Sequence, residues 1–87
     1  MTRDAIYLLR EKLGLSEADF ASLIGVDTRS VRRWEAGEAS PSGSSEGVLL
    51  GLEDAIRDVP EFKEVCRRAA PRGLAWFIYR LAVKRQP

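Results

Sequence analysis

Residues 15–37 read LSEADFASLIGVDTRSVRRWEAG, and this stretch decides the fold. Ser16 stands three residues before Asp19, close to a capping box but with Asp in the usual Glu/Gln place. A helix is therefore predicted from this point, with Phe20, Ala21 and Ile24 on its inner face. Gly25 ends it where a tight turn needs a residue without a Cβ. Asp27 is a good N-cap for the next helix, predicted over 28–36, and Gly37 stops that one.

The second of these helices has two unlike sides. At about 100° per residue, Ser30, Val31, Trp34 and Glu35 fall together. Thr28, Arg29, Arg32, Arg33 and Ala36 fall on the other side. The apolar side must face a core, so the outer side presents three arginines and a hydroxyl. Two short amphipathic helices about a glycine turn make a helix-turn-helix unit, whose second helix enters the major groove of DNA. Arginine suits that place. It forks onto guanine, with about 1–3 kcal/mol of discrimination, and it neutralises phosphate. For Trp34 the packing role is preferred.

On the N-terminal side, Ile6, Leu9 and Leu13 lie at helical spacing and Gly14 follows, which predicts a helix over 4–13. On the C-terminal side, residues 38–45 read EASPSGSS, a run of turn residues. Ser44 or Ser45 is the expected cap of a fourth helix reaching Asp58, with Val48, Leu49, Leu52 and Ile56 facing in. Pro60 suits the first turn of a fifth, reaching Ala70 and packing Phe62, Val65, Cys66 and Ala69. A last helix is predicted over 72–84. No stretch alternates at period two, so the class is all-α.

Bulk properties bound the function. Eighty-seven residues fit one domain, here 1–87, with a helix-turn-helix core at 4–58 and a helical extension at 59–87. At this size only about 60–65 % of the unfolded chain's surface is buried on folding. The sequence has no histidine and a single cysteine, Cys66. The usual metal-ligand clusters and the commonest general base are therefore missing, and no internal disulfide can form. No enzyme, no cofactor and no metal are expected, and Cys66 reads as a small buried apolar residue. No apolar run approaches the roughly 20 residues of a membrane span, and the cytoplasm is the expected compartment.

The net charge of +1 hides an uneven distribution. Residues 35–61 hold seven acids against one arginine, net −6, while residues 63–85 hold seven cations against one acid, net +6. Local sign matters more than the total for contact with nucleic acid.

These residues resemble the Cro/lambda-repressor-like helix-turn-helix proteins of bacteria and phages. The resemblance spans about residues 4–58, is ungapped from Leu15 to Gly37, and ends in Trp34-Glu35-x-Gly37, as in a subgroup of bacterial regulators and antitoxins. It implies a lambda-repressor-like bundle that binds double-stranded DNA. It implies base-facing roles for Thr28, Arg29, Arg32 and Arg33. The start of the second helix, Ser16 and Glu17, takes a phosphate-facing place. Residue 17 is often Gln in the family. Glu17 would be repelled there, so either it pairs with a nearby arginine such as Arg29 or the contact is lost. The loop after Gly37 commonly touches phosphate, a role open to Ser40 and Ser42, although Glu38 adds an acid. Arg10 and Glu35 match a frequent pair of the family, read here as an ion pair that docks the first helix; a direct phosphate contact is the alternative for Arg10.

The last predicted helix is apolar on two sides. Leu74, Phe77, Ile78 and Leu81 make one stripe; Ala75, Trp76, Tyr79 and Val83 make another. Such a helix usually packs against two things. The expected second partner is another copy of the chain, with Leu74, Trp76, Phe77, Tyr79 and Arg80 at a two-fold interface. Packing of both stripes in one core and a membrane-surface helix are the alternatives. The expected function is sequence-specific DNA binding as a homodimeric transcriptional regulator. The rivals are an antitoxin that also masks a toxin protein, and a protein-interaction module that no longer touches DNA.

Overall fold

The computed structural model describes residues 1–73. Five helices follow one another: α1 (Arg3–Leu13), α2 (Glu17–Ile24), α3 (Thr28–Glu35), α4 (Ser44–Asp58) and α5 (Phe62–Ala69). No strand occurs among the described residues. The predicted last helix lies outside them from residue 74 on, and so do Leu74, Trp76, Phe77, Tyr79 and Arg80.

Local signals start and stop the first three helices. Thr2 caps α1, its hydroxyl accepting the Ala5 N–H at 3.1 Å. The Ser16 hydroxyl accepts the Asp19 N–H at 3.1 Å, and the Asp27 carboxylate accepts the Ser30 N–H at 2.8 Å. Each satisfies one of the amides that a helix start leaves open. At the end of α3 the Gly37 N–H bonds the Trp34 carbonyl and the Glu38 N–H bonds that of Arg33. That paired closure needs a left-handed residue, and Gly37 adopts φ 78°. Gly25, at φ 90°, makes the α2–α3 turn in the same region.

The core draws on all five helices. Ile6, Leu9 and Leu13 of α1 meet Phe20, Ala21 and Leu23 of α2, Val31 and Trp34 of α3, Leu49, Leu52 and Ile56 of α4, and Cys66 and Ala69 of α5. A fully buried side chain such as Phe20, Ile6 or Leu49 contributes about 1.5–3 kcal/mol through burial. Burial also pushes the Cys66 thiol up to about 11, because a thiolate would be desolvated there.

The observed packing differs from the sequence reading in four places. Leu23 is fully buried and Ile24 only partly, because α2 turns its Phe20–Leu23 side to the core. Val48 is 37 % exposed, since Leu49, Leu52 and Ile56 fill the contact side of α4. Neither Ser44 nor Ser45 caps α4: Gly43 precedes it at φ 58° and no side chain closes that end. Pro60 lies before α5, in a tight turn where the Phe62 and Lys63 amides bond the carbonyls of Val59 and Pro60.

Arg67 joins the last described helix to the end of the first. Arg67 donates from Nε to the Leu13 carbonyl at 2.7 Å and from Nη1 to Glu64 at 3.0 Å. It thereby satisfies a carbonyl left open at the end of α1.

Candidate nucleic-acid interface

The sequence of α3 sorts its two sides. Val31 and Trp34 are buried, while Arg29, Arg32 and Arg33 are exposed and Thr28 is half-buried at the start. The helix is short, so its axis is set by what it leans on. It packs on both α2 and α1. The Asp27 cap keeps its first turn closed. Hydrogen bonds from the Ser30 side chain and backbone hold the Asp27 carboxyl below the usual aspartate range.

Arg10 and Glu35 fix α3 to α1. Arg10 donates from Nε to Glu35 Oε2 and from Nη2 to Glu35 Oε1, both at 2.8 Å, and from Nη1 to the Leu15 carbonyl at 3.1 Å. The two side chains are 15 % and 12 % exposed. The hydrogen bond to Glu35 raises the Arg10 pKa above the ordinary guanidinium value. The Tyr7 ring lies 5.4 Å from the guanidinium carbon, within cation–π range. With its fork occupied by Glu35, Arg10 presents no bidentate face outward.

Glu17 meets a different arginine from the one named from sequence. Its carboxylate lies 3.5 Å from Arg32 Nε, with side chains 35 % and 67 % exposed. Arg29 and Arg32 are neighbours on one face of α3, one turn apart. The crossing of α2 over α3 selects the later turn. The pair neutralises part of the basic face, leaving Arg29 and Arg33 as its cations with no ion pair among the described residues.

Around this face lie the remaining candidates. Ser16 is exposed, with its hydroxyl engaged in the α2 cap. Ser40 and Ser42 are exposed in the segment between α3 and α4, on either side of buried Pro41. Glu38 is exposed as well. Arg3 was not evident as a site residue from sequence. Its side chain runs over Gly37, where a Cβ would meet it at 3.2 Å. A further cation therefore sits at the C-terminal end of α3, brought there by the α1–α3 packing. No sequence signal links residues 3 and 37.

The arrangement is a two-helix unit with one helix buttressed from behind and its outer face basic. The family model described as Helix-turn-helix matches residues 6–45, from the first turns of α1 through α2 and α3 to the start of α4. No curated protein and no solved structure matches the chain significantly.

Proposed function

We propose, from the match of residues 6–45 to the Helix-turn-helix family model, that the chain is a DNA-binding regulator of the lambda-repressor type that reads a specific duplex sequence with α3. The observation that carries this reading is the division of α3. Val31 and Trp34 anchor one side in the core, so Thr28, Arg29, Arg32 and Arg33 project from the other. On this reading α3 lies in the major groove and the start of α2, with Ser16 and Glu17, faces the sugar–phosphate backbone. Ser40 and Ser42 offer hydroxyls to phosphate beside α3. Arg10 and Glu35 hold the reading helix in place and touch no base.

The chain acts as a two-fold dimer in the cytoplasm, with Leu74, Trp76, Phe77, Tyr79 and Arg80 at the dimer contact. Half-sites then lie about 34 Å apart, one turn of duplex. No described helix is long and apolar enough to cross a membrane.

Selection of bound duplexes from a random pool, followed by mobility shift at low and moderate salt, tests the reading. A recurrent two-fold motif, bound less tightly by the double variant Arg29→Ala/Arg33→Ala, is the expected result. No retardation at low salt would overturn it and leave a protein-interaction module. Trp76→Glu should halve the mass in light scattering; an unchanged mass would refute the proposed dimer contact.

A further inference from the structure

Arg29, Arg33 and Gly37 follow one another at intervals of four, so they lie close to one line along the outer face of α3. Ala36 is still right-handed helical, so the Cα of Gly37 continues that line, about 12 Å along the axis from Arg29. Gly37 has no side chain to add to the row, because the left-handed turn at φ 78° favours a glycine. The side chain of Arg3 lies in that place. A Cβ on Gly37 would come within 3.2 Å of Arg3 Nη1 and 3.3 Å of its Cδ. The next cation of the row is thus supplied by α1.

We propose that Arg3 binds a backbone phosphate of the duplex, at the end of the footprint that Arg29 and Arg33 begin. The inference rests on α3 lying in the major groove, and it adds a contact from outside the two-helix unit.

The backbone that carries Arg3 has a fixed seat. Met1 packs against the core, and the Thr2 hydroxyl accepts the Ala5 N–H at 3.1 Å, which closes the first turn of α1. α1 packs on α3, and the Arg10–Glu35 pair ties the two together. The guanidinium of Arg3, by contrast, is free to change partner. Its ion pair is with Asp4, at 4.0 Å, between side chains 63 % and 89 % exposed. A pair so open to water holds little energy. Asp4 also loses little when Arg3 leaves, because it lies in the first turn of α1, where the helix dipole favours an acid.

Position argues for a phosphate over a base. A reading helix puts its N-terminal residues on the base edges. Arg3 stands at the other end of α3, beyond Arg33. Charge argues the same way. Glu38, exposed next to Gly37, would repel a phosphate there, and Arg3 brings the opposite sign to the same turn. Its planar fork suits two phosphate oxygens at once.

The test is a mobility-shift titration over a range of salt, with Arg3→Ala and Arg3→Lys in the full chain, on the selected duplex and on one of random sequence. Arg3→Ala should bind both duplexes less tightly by the same factor. It should lower the logarithmic salt slope by about 0.9, the share of one neutralised phosphate. Arg3→Lys should keep the slope, and all three chains should unfold at the same urea concentration. Uncharged methylphosphonates, placed one at a time in the selected duplex, should then locate the contact. At one backbone position the substitution should weaken binding by the unaltered chain and leave binding by Arg3→Ala unchanged. Absence of any such position would overturn the proposal, even if Arg3→Ala binds weakly or unfolds early. An unchanged slope in Arg3→Ala would overturn it too, and leave Arg3 as a cover for the end of α3. Loss confined to the selected duplex would overturn it in favour of a base contact. Failure of the unaltered chain to retard either duplex at low salt would overturn the DNA reading itself and this contact with it.

Discussion

Arg10–Glu35 and Glu17–Arg32 both tie a neighbouring helix to α3, the first from α1 and the second from α2. The first is bidentate, with both bonds at 2.8 Å, a third donor on a backbone carbonyl, and side chains no more than 15 % exposed. The second is a single contact at 3.5 Å between side chains 67 % and 35 % exposed. Water and salt reach the second freely and the first hardly at all. An ion pair of the first kind sets where a helix sits, because losing one partner strands the other charge. One of the second kind has little hold on the fold. It is free to be exchanged for a phosphate or a base.

The largest expected effect tests the inner pair. Arg10→Ala leaves the Glu35 carboxylate half-buried without its partner and should lower stability by about 3–5 kcal/mol in a urea titration. A loss under about 1 kcal/mol would erase the contrast. Next comes the exposed face. Arg33→Ala should leave stability within about 0.5 kcal/mol. If Arg33 forks onto guanine, it should weaken binding to the selected duplex by about 1–3 kcal/mol in a mobility-shift titration. Equal loss on every duplex would make Arg33 a phosphate contact instead.

Glu17→Gln sharpens the comparison further. Stability should change by no more than about 1 kcal/mol, the range of exposed pairs. Release of Arg32 toward the backbone should tighten binding and steepen the logarithmic salt dependence by about 0.9, the effect of one more neutralised phosphate. Weaker binding would mean that Glu17 aims Arg32 and the pair is no bystander. The smallest effect concerns Asp27, the exposed acid that caps α3 and accepts hydrogen bonds from Ser30. Its folded pKa is depressed, so the cap's contribution is present above the unfolded value of about 3.9 and is lost only as pH falls through the lower folded value. A carboxyl carbon titration by NMR should place its midpoint below 3.8; a midpoint at or above that would show the cap to be open in solution.

What was legible in the sequence follows the distance over which each signal acts. Ser16, Gly25, Asp27 and Gly37 close bonds within a few residues of themselves, and their types announce it. The two sides of α3 were legible because helix geometry alone separates Val31 and Trp34 from the arginines. The partner of Glu17 was not, because Arg29 and Arg32 share a face and only the α2–α3 crossing chooses between them. The start of α4 was obscured by four serines within six residues, any of which has the chemistry of a cap. Val48 follows the α4 stripe in spacing, yet its burial depends on how far round α4 the neighbouring helices reach. Arg3 over Gly37 and Arg67 on Leu13 depend wholly on tertiary packing.

The bond from Arg67 to the Leu13 carbonyl spans 54 residues of sequence. During synthesis the chain emerges from its N-terminus, so the end of α1 is made long before the group that closes it. Core residues Leu49, Leu52, Ile56, Cys66 and Ala69 arrive after the 6–45 segment too. The stretch that the family model matches is thus shorter than the stretch that supplies the core. On the ribosome, α1 gains the group that closes its end only after α5 has left the exit tunnel.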